Sequence, residues 1–169
     1  MHGDHEVGEG AFPEGLSELL GPARPGADDE DAWAEAEEWF RTPVPGEVRE
    51  FLGAYGGVWV SGFLSIISPG ALIECQEFHR DSVARIRKIA DPMLPEPGGM
   101  FVWGSTVEAD LLFMVQRPSG WRVAAWVRQW HEWYESDLSL AEWASFAFSS
   151  RQDIPWLPEW EYPLEISEM

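Results

Sequence analysis

The stretch Thr42-Pro43-Val44-Pro45-Gly46-Glu47-Val48-Arg49-Glu50-Phe51-Leu52-Gly53-Ala54-Tyr55-Gly56-Gly57 contains an extended connection, a helix and the signal that stops it. Each of its prolines biases the residue before it away from the helical region, so Thr42 to Val44 must run extended. Pro45 suits a first helical turn, where its missing amide hydrogen costs nothing. Val48, Phe51, Leu52 and Tyr55 then recur at i, i+3, i+4 and i+7, which places four apolar side chains on one stripe. The spacing predicts a helix from about Pro45 to Tyr55, ended by Gly56-Gly57 and packed on a core.

Upstream, a second helix is predicted from about Asp29 to Phe40. Asp28, Asp29, Glu30 and Asp31 crowd its first turn, where carboxylates complement the helix dipole and can cap free amides. Trp33, Ala36 and Phe40 share one face at helical spacing. A short helix with Leu16, Leu19 and Leu20 on one side follows Pro13 and stops at Gly21-Pro22, and residues 21–28 read as a linker. Residues 1–12, acidic and Gly-rich, read as a flexible leader.

Downstream, residues 58–67 read as strand material interrupted at Gly62, and Ser68-Pro69-Gly70 as a turn. A longer helix is expected from Ala71 to Ala90, with Phe78, Ile86 and Ile89 as its buried contacts. After a Pro- and Gly-rich loop at 91–99, strands are expected at Met100–Trp103, Ala109–Gln116 and Trp121–Arg128, the last two joined through Arg117-Pro118-Ser119-Gly120. Ser139-Leu140-Ala141-Glu142 is a capping-box pattern that opens a last helix to about Phe148. Residues 151–169 are extended and Pro-rich, yet Trp156, Trp160, Tyr162 and Ile166 predict that they lie on the domain. With helices mainly first and strands later, the fold class is α+β: one domain with a largely antiparallel sheet flanked by helices.

Composition narrows the function classes. Thirty Asp and Glu against 11 Lys and Arg give a formal charge of -19 over 169 residues. Such a surface repels phosphate backbones and anionic lipids, which disfavours direct nucleic-acid or membrane binding and favours a basic protein partner. The 45% hydrophobic content, with 11 Trp and 9 Phe, is ample for a core. Cys75 is the single cysteine, so no internal disulfide can form. Residues 1–10 lack a signal peptide's basic and apolar regions, and no apolar run approaches bilayer length, so a cytoplasmic location is expected.

Several constellations carry residue types capable of chemistry. Asp28, Asp29, Glu30, Asp31, Glu35, Glu37 and Glu38 could mate with a basic cleft or simply solvate a helix start; they lack the glycine and closing glutamate of a calcium loop. His131-Glu132 lacks the second histidine of a zinc protease, that position being Glu135. His2, Asp4, His5 and Glu6 sit in a leader with no supporting shell, a poor metal site. Cys75 and His79 are four residues apart on a helix, but Glu74 and Glu77 should raise the thiol pKa and blunt it. No phosphate-loop or dinucleotide glycine pattern occurs. Trp121, Val123 and Ala125 alternate towards a core, with Trp126 and Trp130 on the other strand face. Exposed Trp130 and Trp133 beside Glu132, Glu135 and Asp137 would form a protein-binding patch, because aromatic anchors dominate interface energetics. These readings assign no catalytic residue, metal or cofactor. The partner-binding candidates are Asp28, Asp29, Glu30, Asp31, Glu35, Glu38, Trp130, Glu132, Trp133, Glu135 and Asp137.

The stretch from Trp33 to Gly57, with its Trp- and Glu-rich helix, prolyl turn, Val48-Arg49-Glu50-Phe51 and Tyr55-Gly56-Gly57, resembles the opening of the SUKH superfamily. Gly62-Phe63-Leu64 with Ser68-Pro69-Gly70, then Glu96-Pro97-Gly98-Gly99-Met100-Phe101-Val102-Trp103-Gly104, then Trp121-Arg122-Val123-Ala124-Ala125 with Trp133-Tyr134-Glu135, resemble its later segments in order. The turn Val107-Glu108-Ala109-Asp110 departs from the Asn-Gly-Asp that the family often carries. The resemblance covers about residues 15–150 and implies a SUKH-like domain over 13–150, followed by an acidic, aromatic segment at 151–169. It further implies a non-catalytic module of the toxin-immunity type that binds a cognate, basic toxin domain, with an adaptor of endogenous proteins as the alternative.

Overall fold

The computed structural model describes residues 15–24 and 29–169. The leader with its histidines, and Asp28, lie outside the described residues. Helix α1 (Leu16–Leu20) buries Leu16 and Leu20. Helix α2 (Glu30–Phe40) starts where the Asp29 side chain accepts from the amides of Asp31 and Ala32, and it buries Trp33, Ala36 and Phe40. Helix α3 (Gly46–Tyr55) has Pro45 as its cap residue and buries Val48, Phe51, Leu52 and Tyr55. The two stripes read from the sequence are the two buried faces. Gly56 follows because the chain turns back tightly there: a Cβ on it would lie 2.5 Å from the carbonyl oxygens of both Ile67 and Leu52.

The chain then lays down a seven-stranded antiparallel sheet in the order β6 (Glu132–Glu135), β5 (Gly120–Val127), β4 (Leu111–Arg117), β3 (Phe101–Thr106), β2 (Leu64–Ile66), β1 (Val58–Val60), β7 (Ile166–Glu168). Strands β1 (Val58–Val60) and β2 (Leu64–Ile66) form a hairpin across Ser61 and Gly62, both at positive φ. Strands β3 (Phe101–Thr106), β4 (Leu111–Arg117) and β5 (Gly120–Val127) make the centre, and Pro118-Ser119 closes the β4–β5 hairpin. Strand β6 (Glu132–Glu135) forms one edge. At the other edge, β7 (Ile166–Glu168) returns from the C-terminal segment to pair with β1. Between the early and central strands lies α4 (Leu72–Ala84), and α5 (Leu140–Ala147) follows β6 behind the capping box of Ser139 and Glu142. The molecule is a single α+β domain.

Each central strand is apolar on both faces. Phe101, Trp103, Leu112, Met114, Val123 and Ala125 point into a main core with α1, α2, α3 and α5. Trp103 sits at its middle, edge-on to Trp143 at 5.7 Å and to Phe51 at 6.3 Å. The alternate residues Val102, Leu111, Phe113, Val115, Ala124 and Trp126 form a second, smaller core under α4 and the loop that follows it. The C-terminal segment packs over the main core: Trp156 stacks on Trp143, and Trp160 Nε1 donates to the Ala147 carbonyl at 2.7 Å.

Helix α4 corrects the sequence reading. It ends at Ala84 rather than Ala90, and residues 85–89 continue as tight turns, Ile86 N–H donating to Val83 O at 3.0 Å. Phe78 is not buried but 77% exposed. Leu72, Gln76 and Val83 face the sheet instead, and Phe78, two residues past Gln76, lies about 200° round the helix. Ile86 and Ile89 do pack against the second core.

Gln76 is fully buried, with its amide set against the edge of β3 beyond the end of β2. Its Nε2 donates to Val102 O at 2.8 Å and to Leu72 O at 3.0 Å, while its Oε1 accepts from Val102 N–H at 2.8 Å. The side chain thus replaces a missing strand. Gln76→Leu keeps the bulk but strands two buried backbone groups, so it should cost about 3 kcal/mol in urea unfolding of the whole chain. A loss under about 0.5 kcal/mol would show that water satisfies Val102 equally well.

Candidate functional site

The acidic run on α2 is partly consumed by structure. Asp29 caps the helix, Oδ1 accepting at 3.0 and 3.2 Å. Glu30 pairs with Arg49 of α3 at 2.9 Å, and Glu37 accepts from the Val44 amide at 2.7 Å. Arg49 also lies over the Trp33 ring, 5.4 Å from its centroid. These carboxylates therefore fasten α2 to α3 and to the prolyl connection. Asp31, Glu35 and Glu38 remain exposed and have no partner among the described residues.

The second predicted group divides between the two sheet faces. Trp133 is half-buried against Phe113, with ring centroids 5.4 Å apart. Trp130, 46% exposed, lies against Tyr134 at 6.3 Å. Successive strand residues point to opposite faces, so Trp133 and Tyr134 carry these contacts to different sides and the two tryptophans form no common patch. Strand β5 ends at Val127, so its alternation does not extend to Trp130. Glu135 is held by Arg117, whose Nη2 donates to it at 2.7 Å while Nη1 and Nη2 clasp Asp91 at 3.0 and 2.9 Å. The guanidinium keeps the Glu135 carboxyl below the ordinary carboxylate range. Glu132 pairs with Lys88 at 3.3 Å, and Asp137 is exposed.

Trp130 instead borders a surface that sequence reasoning missed. Where residues 158–165 pass the β1–β2 hairpin, a groove of about 710 Å³ opens over Phe63, Trp160 and Leu164, rimmed by Glu159, Glu161 and Glu165. A smaller hollow of about 230 Å³ adjoins it through Phe63 and Pro158, and is lined by Trp130, Trp156 and Glu108. Among the described residues no cation lines either hollow. None of these four glutamates has a side-chain partner among the described residues. The groove is positioned by hydrogen bonds between the two passing segments, Ser61 N–H to Glu165 O at 2.6 Å and Glu165 N–H to Ser61 Oγ at 3.2 Å. Its sequence signal was the interleaving of Trp156, Trp160 and Tyr162 with Glu159, Glu161 and Glu165. What the sequence withheld was that Phe63, a hundred residues earlier, supplies part of the floor.

The nucleophile candidates gain nothing from their setting. Burial, rather than Glu74 and Glu77, pushes the Cys75 thiol up to about 11 and holds His79 below the ordinary imidazole value. A thiol with that pKa is almost wholly protonated at neutral pH and is a poor attacking group. Among the described residues, no three His, Cys, Asp or Glu gather where one metal ion could bind, and no helix is long and apolar enough to cross a membrane. No protein-family model matches the chain, nor does any curated protein or solved structure.

Because the folded thiol loses its proton later than an unfolded one, alkylation of Cys75 by iodoacetamide should stay slow through pH 9 and rise with a midpoint near 11. In urea the midpoint should fall to the ordinary thiol range, about 8.5. A native midpoint below the denatured one would mean that a neighbouring group activates the thiol.

Proposed function

We propose that the chain is a non-catalytic protein-binding module, an immunity protein of SUKH type that binds and neutralises a basic toxin domain. The observation that carries this reading is the acidic aromatic groove. Phe63, Trp160 and Leu164 offer a floor for apolar or aliphatic surface, and Glu159, Glu161 and Glu165 stand around it unpaired. A lysine or arginine side chain fits such a site with its stem on the aromatics and its charge among the carboxylates. Exposed Asp31, Glu35, Glu38 and Asp137 add to a formal charge of -19 that draws a basic partner in from a distance. The order of segments resembling the SUKH superfamily supports the immunity reading within that class.

The test is co-purification and surface plasmon resonance with cation-rich toxin domains encoded beside this chain's gene. Association should slow about tenfold between roughly 0.05 and 0.5 M salt. Replacing Glu159, Glu161 and Glu165 together by Gln should slow it by a similar factor at low salt. Salt-independent association would remove the electrostatic argument, and a triple variant that binds like the parent would place the interface elsewhere.

A further inference from the structure

One end of the sheet's second face carries the opposite chemistry. A cavity of about 660 Å³ lies between the turns after α4 and the ends of β3, β4 and β5. Arg85, Arg87, Lys88 and Arg128 line it, four of the chain's 11 Lys and Arg. Among the described residues no carboxylate lines it, although Asp and Glu outnumber Lys and Arg by 30 to 11 in the full sequence. Ile86, Leu111 and Trp126 give it an apolar wall, and Ser105 and Thr106 bring hydroxyls. Arg85, Arg87 and Arg128 make no side-chain hydrogen bond or ion pair with any described residue. Lys88 is paired with Glu132 at 3.3 Å, but the three arginines have no such counter-charge and repel one another, and an anion in their midst reverses the sign of that interaction.

The cavity's walls are pinned. Lys88 Nζ donates to the His131 carbonyl at 2.7 Å, tying the turns after α4 to the β5–β6 turn. Buried Asp110 accepts from Thr106 Oγ1 at 2.7 Å and from the Arg128 amide at 2.9 Å, which fixes the rim from behind. Of the four non-glycine residues at positive φ among those described, Ala109 and His131 both border this cavity. Backbone in that region is costly and is retained where the surroundings fix it. His131 also stands edge-on to Trp126, 6.0 Å between centroids.

We propose that this cavity is a binding site for a small phosphorylated organic anion of nucleotide size. Its volume lies within the roughly 300–1,000 Å³ of sites for such molecules. Three free guanidiniums suit phosphate oxygens, which they can hold in pairs of charge-assisted hydrogen bonds. The apolar wall suits a compact organic body. A long polyanion is disfavoured by the chain's overall charge, whereas a small one feels mainly the local field. The site lies across the sheet from the acidic groove, since adjacent residues of β5 point to opposite faces, Trp126 into the cavity and Val127 into the hollow beside the groove, and it does not depend on the groove's function.

The test is isothermal titration calorimetry of the full chain with ATP, inorganic pyrophosphate, adenosine and a hexaglutamate peptide. ATP should bind one-to-one and pyrophosphate more weakly, while adenosine gives no saturable heat. Arg85→Gln and Arg128→Gln should each weaken ATP binding about tenfold, the loss of one charge-assisted contact. Arg151→Gln, at an exposed arginine outside the cavity, should leave it within about twofold. Circular dichroism of each variant, unchanged from the parent, separates lost binding from lost folding. Absence of saturable ATP binding, equal binding of adenosine, tighter binding of the peptide, or indifference to both arginine changes would each overturn the assignment.

Discussion

Strands β3 and β4 are apolar on both faces, and the rest of the molecule follows from the need to cover them twice. On one side the chain spends four helices and the C-terminal segment, closing the main core around Trp103. On the other, among the described residues, it has only α4 and the turns behind it, which shelter Val102, Phe113 and Val115. A thirteen-residue helix spans about 20 Å, and α4 stops at Ala84. Beyond its end the sheet is covered by turns alone, and there the cationic cavity opens. The two candidate sites thus arise from unequal coverage: a groove where extra chain crosses the well-covered face, and a cavity where the poorly covered face runs out of helix.

Charge is distributed on the same plan. Several carboxylates of the acidic run serve the fold, through the Asp29 cap and the Glu30 and Glu37 contacts with α3 and its connection. Arg117 spans Asp91 and Glu135, and so binds the 91–99 loop to the edge strand β6. Carboxylates without such duties rim the groove and stand on the outer surface of α2, and others are exposed on α4. The cations without such duties concentrate in the cavity. A surface with a single net sign therefore conceals two local signs on opposite faces.

The parts legible in the sequence were those governed by local periodicity. Val48, Phe51, Leu52 and Tyr55, or Trp33, Ala36 and Phe40, reveal a buried stripe without knowledge of what lies opposite. The turn residues around Pro118 and the capping box at Ser139 name their own conformations. Gln76 could not be read this way: a polar residue on an amphipathic helix points to solvent by pattern, and only the short reach of β2 makes it a strand surrogate. Phe78 failed for the complementary reason, its size suggesting burial where the helix turns it outwards. Ile166-Ser167-Glu168 has little strand signal, because an edge strand with one exposed face needs few apolar residues. The cavity was invisible since Arg85, Arg87 and Lys88 meet Arg128 only after three intervening strands have been placed.

The pairing of β7 with β1 has a consequence for biosynthesis. Val58 and Val60 find their outer partners, Glu168 and Ile166, only after more than a hundred further residues have been made. At ribosomal speeds of 5–20 residues per second, that edge waits roughly 5–20 s with its amides and carbonyls unmatched. Its brevity is then protective: three residues offer an errant strand little purchase. The nascent chain can thus carry an open flank through most of translation without the flank becoming a seed for aggregation.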